Sequence, residues 1–196
     1  MIQDFIYYFL LVMCLVASFY NEKARHNCFW LYFLLVLFYE ILFYFRVIGV
    51  EIYATSPIVY SLFFINVYLK ELYNEKRFIR YISNAVLLIV GVVLYPSSKG
   101  YSINLGIMMS FIFILCGLIW LFNQFKNNSQ IPIISKQFFW VSVSLLLWAV
   151  FFLFRVTPMY LFEKSDDEFL AVLNRIFQLV TITSYIIFFK GLLCKL

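Results

Sequence analysis

Two charged side chains stand inside long apolar runs, where no water is available to stabilise a charge. Glu40 lies in the run from 28 to 49, and Arg175 lies in the run from 169 to 190. Placing one charge at the centre of a membrane helix costs about 2.5–3.5 kcal/mol. Charges at such positions indicate a partner or a binding site, so these two residues are the first candidates for function.

The two charges are predicted to lie at similar depth in a bilayer. Glu40 is 12 residues from the start of its run, about 18 Å at about 1.5 Å per residue. Arg175 is 6 residues into its run from the opposite face, which places it about 21 Å from the same reference face of a core about 30 Å thick. Matched depth predicts a Glu40–Arg175 pair, which either fixes helix packing or lines a functional pocket.

A polar stripe accompanies Arg175 on the last apolar run. Asn174, Gln178, Thr181 and Tyr185 recur at i, i+4, i+7 and i+11, which is one face of a helix. In lipid such a face turns toward other helices or a water-filled cavity. Interhelical hydrogen bonding and ligand contact both remain open. The predicted ligand-binding or polar-core residues are therefore Glu40, Asn174, Arg175, Gln178 and Thr181.

Arginines also occur at the predicted outer ends of two runs. Arg46 and Arg155 are expected to extend toward the interface, as long basic side chains do near helix ends. They are also candidates for a positive outer mouth above Glu40, which would favour an anionic or zwitterionic ligand.

Patterns for catalysis and metal binding are missing from the sequence. It contains neither HExxH nor G-x-S-x-G, and no base is placed to activate a hydroxyl. The four cysteines form no CxxC pair, and His26 is the single histidine. The sequence predicts a protein that is not an enzyme, with no catalytic residues, no metal site and no cofactor.

The composition of the chain is that of a protein surrounded by lipid. Hydrophobic residues make up 65% of the 196 residues and charged residues 13%, against about 25% charged in soluble domains. The predicted fold is all-α, one domain over 1–196, a polytopic membrane bundle of seven transmembrane helices. The expected spans are 5–20, 28–49, 52–70, 81–95, 101–125, 137–156 and 169–190. The fourth is the shortest, and a six-helix protein with a buried or re-entrant fourth piece is the alternative.

The basic residues predict the orientation of the bundle. Ten Lys and Arg residues fall in the connections after the first, third and fifth spans and in the tail, whereas four fall on the other side. The positive-inside rule then places the N-terminus outside and the C-terminus in the cytoplasm. Within the inner connections, Lys76, Arg77 and Arg80 form a candidate partner-binding surface, although fixing orientation alone is the simpler role for these charges. Nucleic acid is not an expected partner, because basic patches with interleaved aromatics are absent.

An internal repeat is a further possibility. The second span begins Phe29-Trp30 and ends Arg46-Val47, and the sixth begins Phe139-Trp140 and ends Arg155-Val156. If spans one to three and five to seven are parallel repeats, the fourth is a linker helix. Such a three-plus-one-plus-three arrangement occurs in transporters.

Four stretches carry a resemblance to a known group of proteins. They are FYEILFY at 38–44, KELYNEKRFIRY at 70–81, FFW at 138–140 after Pro132, and LNRIFQL at 173–179. Together they resemble small seven-helix membrane proteins of Bacteroidetes that look like detached membrane portions of sensor kinases. Trp148 departs from the polar aromatic expected at its position. The resemblance implies signalling and a location in the bacterial inner (cytoplasmic) membrane, with multiple passes.

The predicted function follows from these observations. The chain is expected to be a sensor-like or accessory membrane protein that acts through a membrane or cytoplasmic signalling partner or a homo-oligomer, with membrane lipid as its surroundings. The alternative is a small-solute transporter of the three-plus-one-plus-three kind.

Overall fold

A computed structural model describes residues 2–73, 77–95, 103–126, 131–161 and 167–194. All regular secondary structure in these ranges is helical. The α-helices are α1 (Ile2–Tyr20), α2 (Glu22–His26), α3 (Phe29–Tyr44), α4 (Val50–Tyr53), α5 (Ser56–Leu72), α6 (Arg77–Val93), α7 (Ile103–Lys126), α8 (Gln137–Leu161) and α9 (Asp167–Leu193), and a 3₁₀ turn covers Ile133–Ser135.

Five stretches of helix in the described residues are long and apolar enough to cross a membrane. They are Gln3–Tyr20, Val50–Leu72, Ile103–Lys126, Gln137–Pro158 and Glu168–Leu193. The helix α3 is apolar but shorter, with 16 residues. The helix α6 has 17 residues and carries Arg77 and Arg80 in its first turn. The prediction of an all-helical architecture with several helices long and apolar enough to cross a membrane is therefore confirmed.

Local capping determines where the helices begin and end. The Asn21 side chain accepts hydrogen bonds from the backbone N–H groups of Lys23 and Ala24 at 3.0 and 3.1 Å, which starts α2. At the end of α3, Arg46 adopts a left-handed conformation with φ 55°. The Val47 N–H then bonds the Leu42 carbonyl at 2.9 Å and the Arg46 N–H bonds Phe43 at 3.0 Å, which is a Schellman motif. The helix therefore ends at Tyr44, five residues before the end of the predicted second span, 28–49.

Six long helices pack as a closed ring. In order around the ring they are α1, α3, α5, α7, α8 and α9, and α9 packs again against α1. The contact of α8 with α9 is the most extensive, and that of α3 with α5 is slight. The remaining long helix, α6, packs against α5. Gly91 of α6 permits this approach, because a Cβ at that position would lie 2.9 Å from Cδ1 of Ile58.

Hydrogen bonds gather one end of every ring helix, which we call the basic end. The Asn21 side chain donates to the Cys194 carbonyl at 3.1 Å, which joins the ends of α1 and α9. Asn27 donates to Gln137 at 3.1 Å, which joins the segment between α2 and α3 to the start of α8. Lys70 donates to the His26 carbonyl at 3.2 Å and Lys136 to Gln124 at 2.6 Å, which adds the ends of α5 and α7.

Aromatic side chains fill the ring between the basic end and its middle. Phe29 contacts the rings of Phe138 and Phe188, with centroids 6.0 and 5.5 Å apart, and Phe64 contacts Phe113 at 5.0 Å. Pairs at these separations stabilise a core beyond the burial of their area. Nine large aromatic side chains are buried in this core: Phe29, Tyr32, Phe33, Phe64, Tyr68, Phe113, Trp120, Phe138 and Phe188. These contacts join α3, α5, α7, α8 and α9 across the ring.

Candidate ligand-binding site

Glu40 lies at the centre of a group of tyrosines on the side of the bundle away from the basic end. Its Oε1 accepts hydrogen bonds from the Tyr53 hydroxyl at 3.0 Å and the Tyr7 hydroxyl at 3.5 Å. Tyr8 lines the same space. The half-buried carboxylate therefore receives phenol donors from α1 and α4, two elements that lie on either side of α3.

Two neighbouring cavities are both lined by Glu40. The inner one has a volume of about 130 Å³ and the outer one about 490 Å³. Both are lined by the same five side chains: Tyr7, Glu40, Tyr53, Trp148 and Thr181. The outer cavity also includes Asp4 and Gln178, which are exposed at its rim. Its volume falls within the range of about 300–1,000 Å³ that small-molecule sites occupy.

The polar stripe of α9 forms one wall of these cavities. Thr181 lines both, Gln178 lines the outer one and Tyr185 lines the inner one. The hydroxyl of Thr181 donates to the Phe177 carbonyl at 2.9 Å, within its own helix. Deeper down, Ser144 of α8 donates to the Ser184 carbonyl at 2.7 Å. Asn174 is half-buried, and its Oδ1 accepts no hydrogen bond from the described residues.

The structure does not bring Arg175 to Glu40. Arg175 is on the exposed face of α9 with Val172 and Leu179, and it is not among the residues that line either cavity. The expected Glu40–Arg175 pair is not formed. Depth was matched but direction was not: at 3.6 residues per turn, six residues place Arg175 about 120° around the helix from Thr181.

Arg155 is the arginine that reaches the Glu40 cavity. It lines the outer part, and its guanidinium lies 5.0 Å from the centroid of the Phe177 ring. Arg46 borders a separate surface cavity beside Glu40 and Tyr8. The outer cavity is lined by two acids, Asp4 and Glu40, and one arginine. Its lining therefore does not have the positive excess expected from Arg46 and Arg155.

The predicted partner-binding surface lies at the basic end. Arg77 is exposed and Arg80 half-buried at the start of α6, and Lys76 lies outside the described residues. Neither arginine forms an ion pair with a described residue. Both line a cavity of about 370 Å³ next to Asn66 and Asn84, whose side-chain amides hydrogen-bond each other at 3.0 Å in both directions.

Metal-ligating side chains are scattered over the part of the chain that the structure describes. No three His, Cys, Asp or Glu residues there are placed to hold a metal ion. Cys14 is buried in the core, and Cys28 is exposed at the basic end.

Sequence reasoning missed the aromatic residues that build the site. Nothing in the sequence sets Tyr7 and Tyr53 apart, because each stands in an apolar run rich in aromatics, and Trp148 is notable only as a departure from the family resemblance. One signal is present: Tyr7 and Tyr53, like Glu40, fall in the predicted outer halves of their spans.

Comparison with known proteins gives no relative for this arrangement. None of the family models, curated proteins or solved structures compared with the chain matches it. Function is therefore inferred from the cavity and the two ends of the bundle.

Proposed function

We propose that this chain is a seven-helix membrane protein of the bacterial inner membrane that binds a small solute in the Glu40 cavity and acts through a signalling partner. The observation that carries the proposal is the cavity itself. The Glu40 carboxylate accepts hydrogen bonds from two phenols inside the bundle. The cavity around it opens toward the end of the bundle opposite the basic end. An ionisable residue inside a membrane is by default a candidate for a functional site.

The direction of α6 supports a seven-span topology. The helix begins next to α5 at the basic end, and Tyr95, just beyond its last turn, donates to the Glu51 carbonyl at 3.0 Å. Glu51 belongs to α4, at the opposite end. At about 1.5 Å per residue, the 17 residues of α6 reach about 26 Å, close to the thickness of the hydrocarbon core.

The positions of the basic residues support an orientation in which the Glu40 cavity faces the outside of the cell. Lys23, Arg25, Lys70, Lys126 and Lys136 belong to connections that the structure gathers at the basic end. The positive-inside rule assigns that end to the cytoplasm. The N-terminus is then outside, the C-terminus is inside, and the Glu40 cavity faces the periplasm.

Action through a partner is supported by the basic end and by the resemblance to detached membrane portions of sensor kinases. Arg77 and Arg80 offer guanidinium groups without an ion pair among the described residues. Guanidinium forks bind carboxylates or phosphates in two-point contacts. A cytoplasmic partner with an acidic surface fits this end, and a second copy of the chain is the other partner considered.

The test is affinity purification in mild detergent of two proteins. One is the unchanged protein, and the other is a variant in which Lys76, Arg77 and Arg80 are changed together to Gln. A specific protein should co-purify with the former and be lost with the latter. Both proteins should remain in the membrane, since Lys23, Arg25, Lys126 and Lys136 still mark the inside. Correct insertion with an unchanged partner would remove this surface from the proposal, and failure to insert would assign the three charges to orientation alone.

A small-solute transporter is the second candidate, favoured by the order of helices in the ring. The triplets α1–α3–α5 and α7–α8–α9 are each contiguous, with α6 beside the ring. Asn27 and Gln137, which hydrogen-bond each other, each lie two residues before the repeated Phe of the possible internal repeat. Both triplets also line the cavity, as parallel repeats do in transporters. Saturable uptake by the purified protein in liposomes, with no partner present, would place transport first.

A further inference from the structure

The carboxylate of Glu40 has hydrogen-bond donors but no cation among the described residues. Both phenols that bond it, Tyr7 and Tyr53, are neutral donors to the same oxygen. Charged groups in a membrane interior are normally paired. A carboxylate has about four acceptor positions, so Glu40 retains capacity for further donors.

The walls around Glu40 are aromatic. Trp148 stacks on Phe152 at 5.1 Å and contacts Phe177 at 5.7 Å, and these rings line the outer cavity together with Tyr7 and Tyr8. Aromatic faces attract cations through the ring quadrupole, and aromatic cages bind quaternary ammonium groups in this way. One ring of this wall already has a cation over it, because Arg155 lies 5.0 Å from the centroid of Phe177.

Charge and size point to the same class of ligand. Glu40 supplies a negative charge inside the bundle, whereas Asp4 is exposed at the rim of the outer cavity and interacts with the N-terminal amino group. The volume of about 490 Å³ holds a small organic molecule, and the inner cavity of about 130 Å³ holds only a small group of it. Glu40 lines both.

We propose that the Glu40 cavity binds a small organic cation, with the ammonium group between the Glu40 carboxylate and the faces of Tyr7, Tyr53 and Trp148. This inference rests on the proposed function, since it names the class of solute that the same cavity binds. Affinity comes from one ion pair and several cation–π contacts in a site with little water, where both are stronger than in solution.

The experiment compares a cation with its uncharged isostere. Choline and 3,3-dimethylbutan-1-ol have nearly the same shape, but only choline is charged. Isothermal titration calorimetry on the purified full-length protein in detergent should give choline at least a tenfold lower Kd. A second panel, methylammonium and tetramethylammonium, tests whether the ammonium group alone is recognised. Because this comparison needs no substitution, it holds even where a variant fails to fold.

Two variants test the position of the site. Glu40→Gln should weaken choline binding at least tenfold, whereas Glu51→Gln, an exposed acid on α4 toward the same end, should leave it unchanged. Trp148→Leu, which removes one aromatic face, should also weaken it. Equal binding of choline and its isostere, or equal binding by Glu40→Gln, would overturn the cation assignment. If a sugar or an anion binds in the cavity and no ammonium compound does, the cation class fails while the solute-binding function stands. If no solute of any class binds, both fail.

Discussion

Glu40 shows how a polar residue inside an apolar bundle finds its partners. Its hydrogen bonds come from Tyr7 on α1 and Tyr53 on α4, 33 and 13 residues away along the chain. The depth of Glu40 could be predicted from its position in the run, because the helical rise is fixed. Its partners could not, because they depend on which faces of separate helices turn toward α3.

A double-mutant cycle tests these partners. Tyr53→Phe removes a donor to Glu40 and should lower the free energy of unfolding by about 0.5–1.5 kcal/mol, the scale of hydrogen bonds between membrane helices. In the Glu40→Met background the same change should have little effect, since the acceptor is gone. Unfolding by SDS titration in micelles gives both values.

Arg175→Gln is the matched control for this cycle. Because Arg175 lies on the exposed face of α9, its effect should be the same with and without Glu40→Met, within about 0.3–0.5 kcal/mol. A larger coupling of Glu40 to Arg175 than to Tyr53 would restore the pair that matched depth predicted and would contradict the hydrogen bonds described for Glu40.

The apolar runs predicted the long helices. The residues at which the helices end depend on backbone conformation and capping, which hydrophobicity does not report. The run 28–49 stays apolar beyond Tyr44, except for the charged residue Arg46. The helix nevertheless ends there, because Arg46 takes a left-handed backbone in a Schellman motif. Glycine is the usual residue at such a position, so this end had no sequence signal.

Close packing of α8 and α9 gives a prediction about stability. A Cβ on Gly191 would lie 2.9 Å from Cβ of Trp140 and 3.2 Å from the backbone carbonyl oxygen of Gln137. Neither atom is the free end of a side chain, so the helices must separate. Overpacking costs about 1–3 kcal/mol, and the better helix propensity of Ala returns about 1 kcal/mol at most. Gly191→Ala should therefore destabilise the protein by about 1–2 kcal/mol in the same SDS titration.

Gly49→Ala provides the control, because nothing lies within 4 Å of the position that its Cβ would occupy and its φ is −77°. It should leave the unfolding free energy within about 0.5 kcal/mol of the starting protein. Equal effects of the two glycine changes would show that α8 and α9 do not approach as closely as described.

At the scale of the whole molecule, charge predicted which connections share an end, and packing determined the rest. The alternation of basic connections anticipated the grouping that the Asn21–Cys194 and Lys70–His26 contacts display. The ring order, the position of α6 beside α5 and the slight contact of α3 with α5 could not be predicted, since apolar lipid-facing and helix-facing surfaces look alike in sequence. The cavity arises from this uneven packing.

Thiol labelling from one side of the membrane reports directly on which side the cavity and the basic end face. Gln178→Cys puts a thiol at the exposed rim of the outer cavity, and the native Cys28 is exposed at the basic end. A membrane-impermeant maleimide, with labelling read peptide by peptide by mass spectrometry, should modify the introduced thiol in intact spheroplasts and Cys28 only in inverted vesicles. Labelling of both from the same side, or of Cys28 alone from outside, would contradict an outward-facing Glu40 cavity above a cytoplasmic basic end.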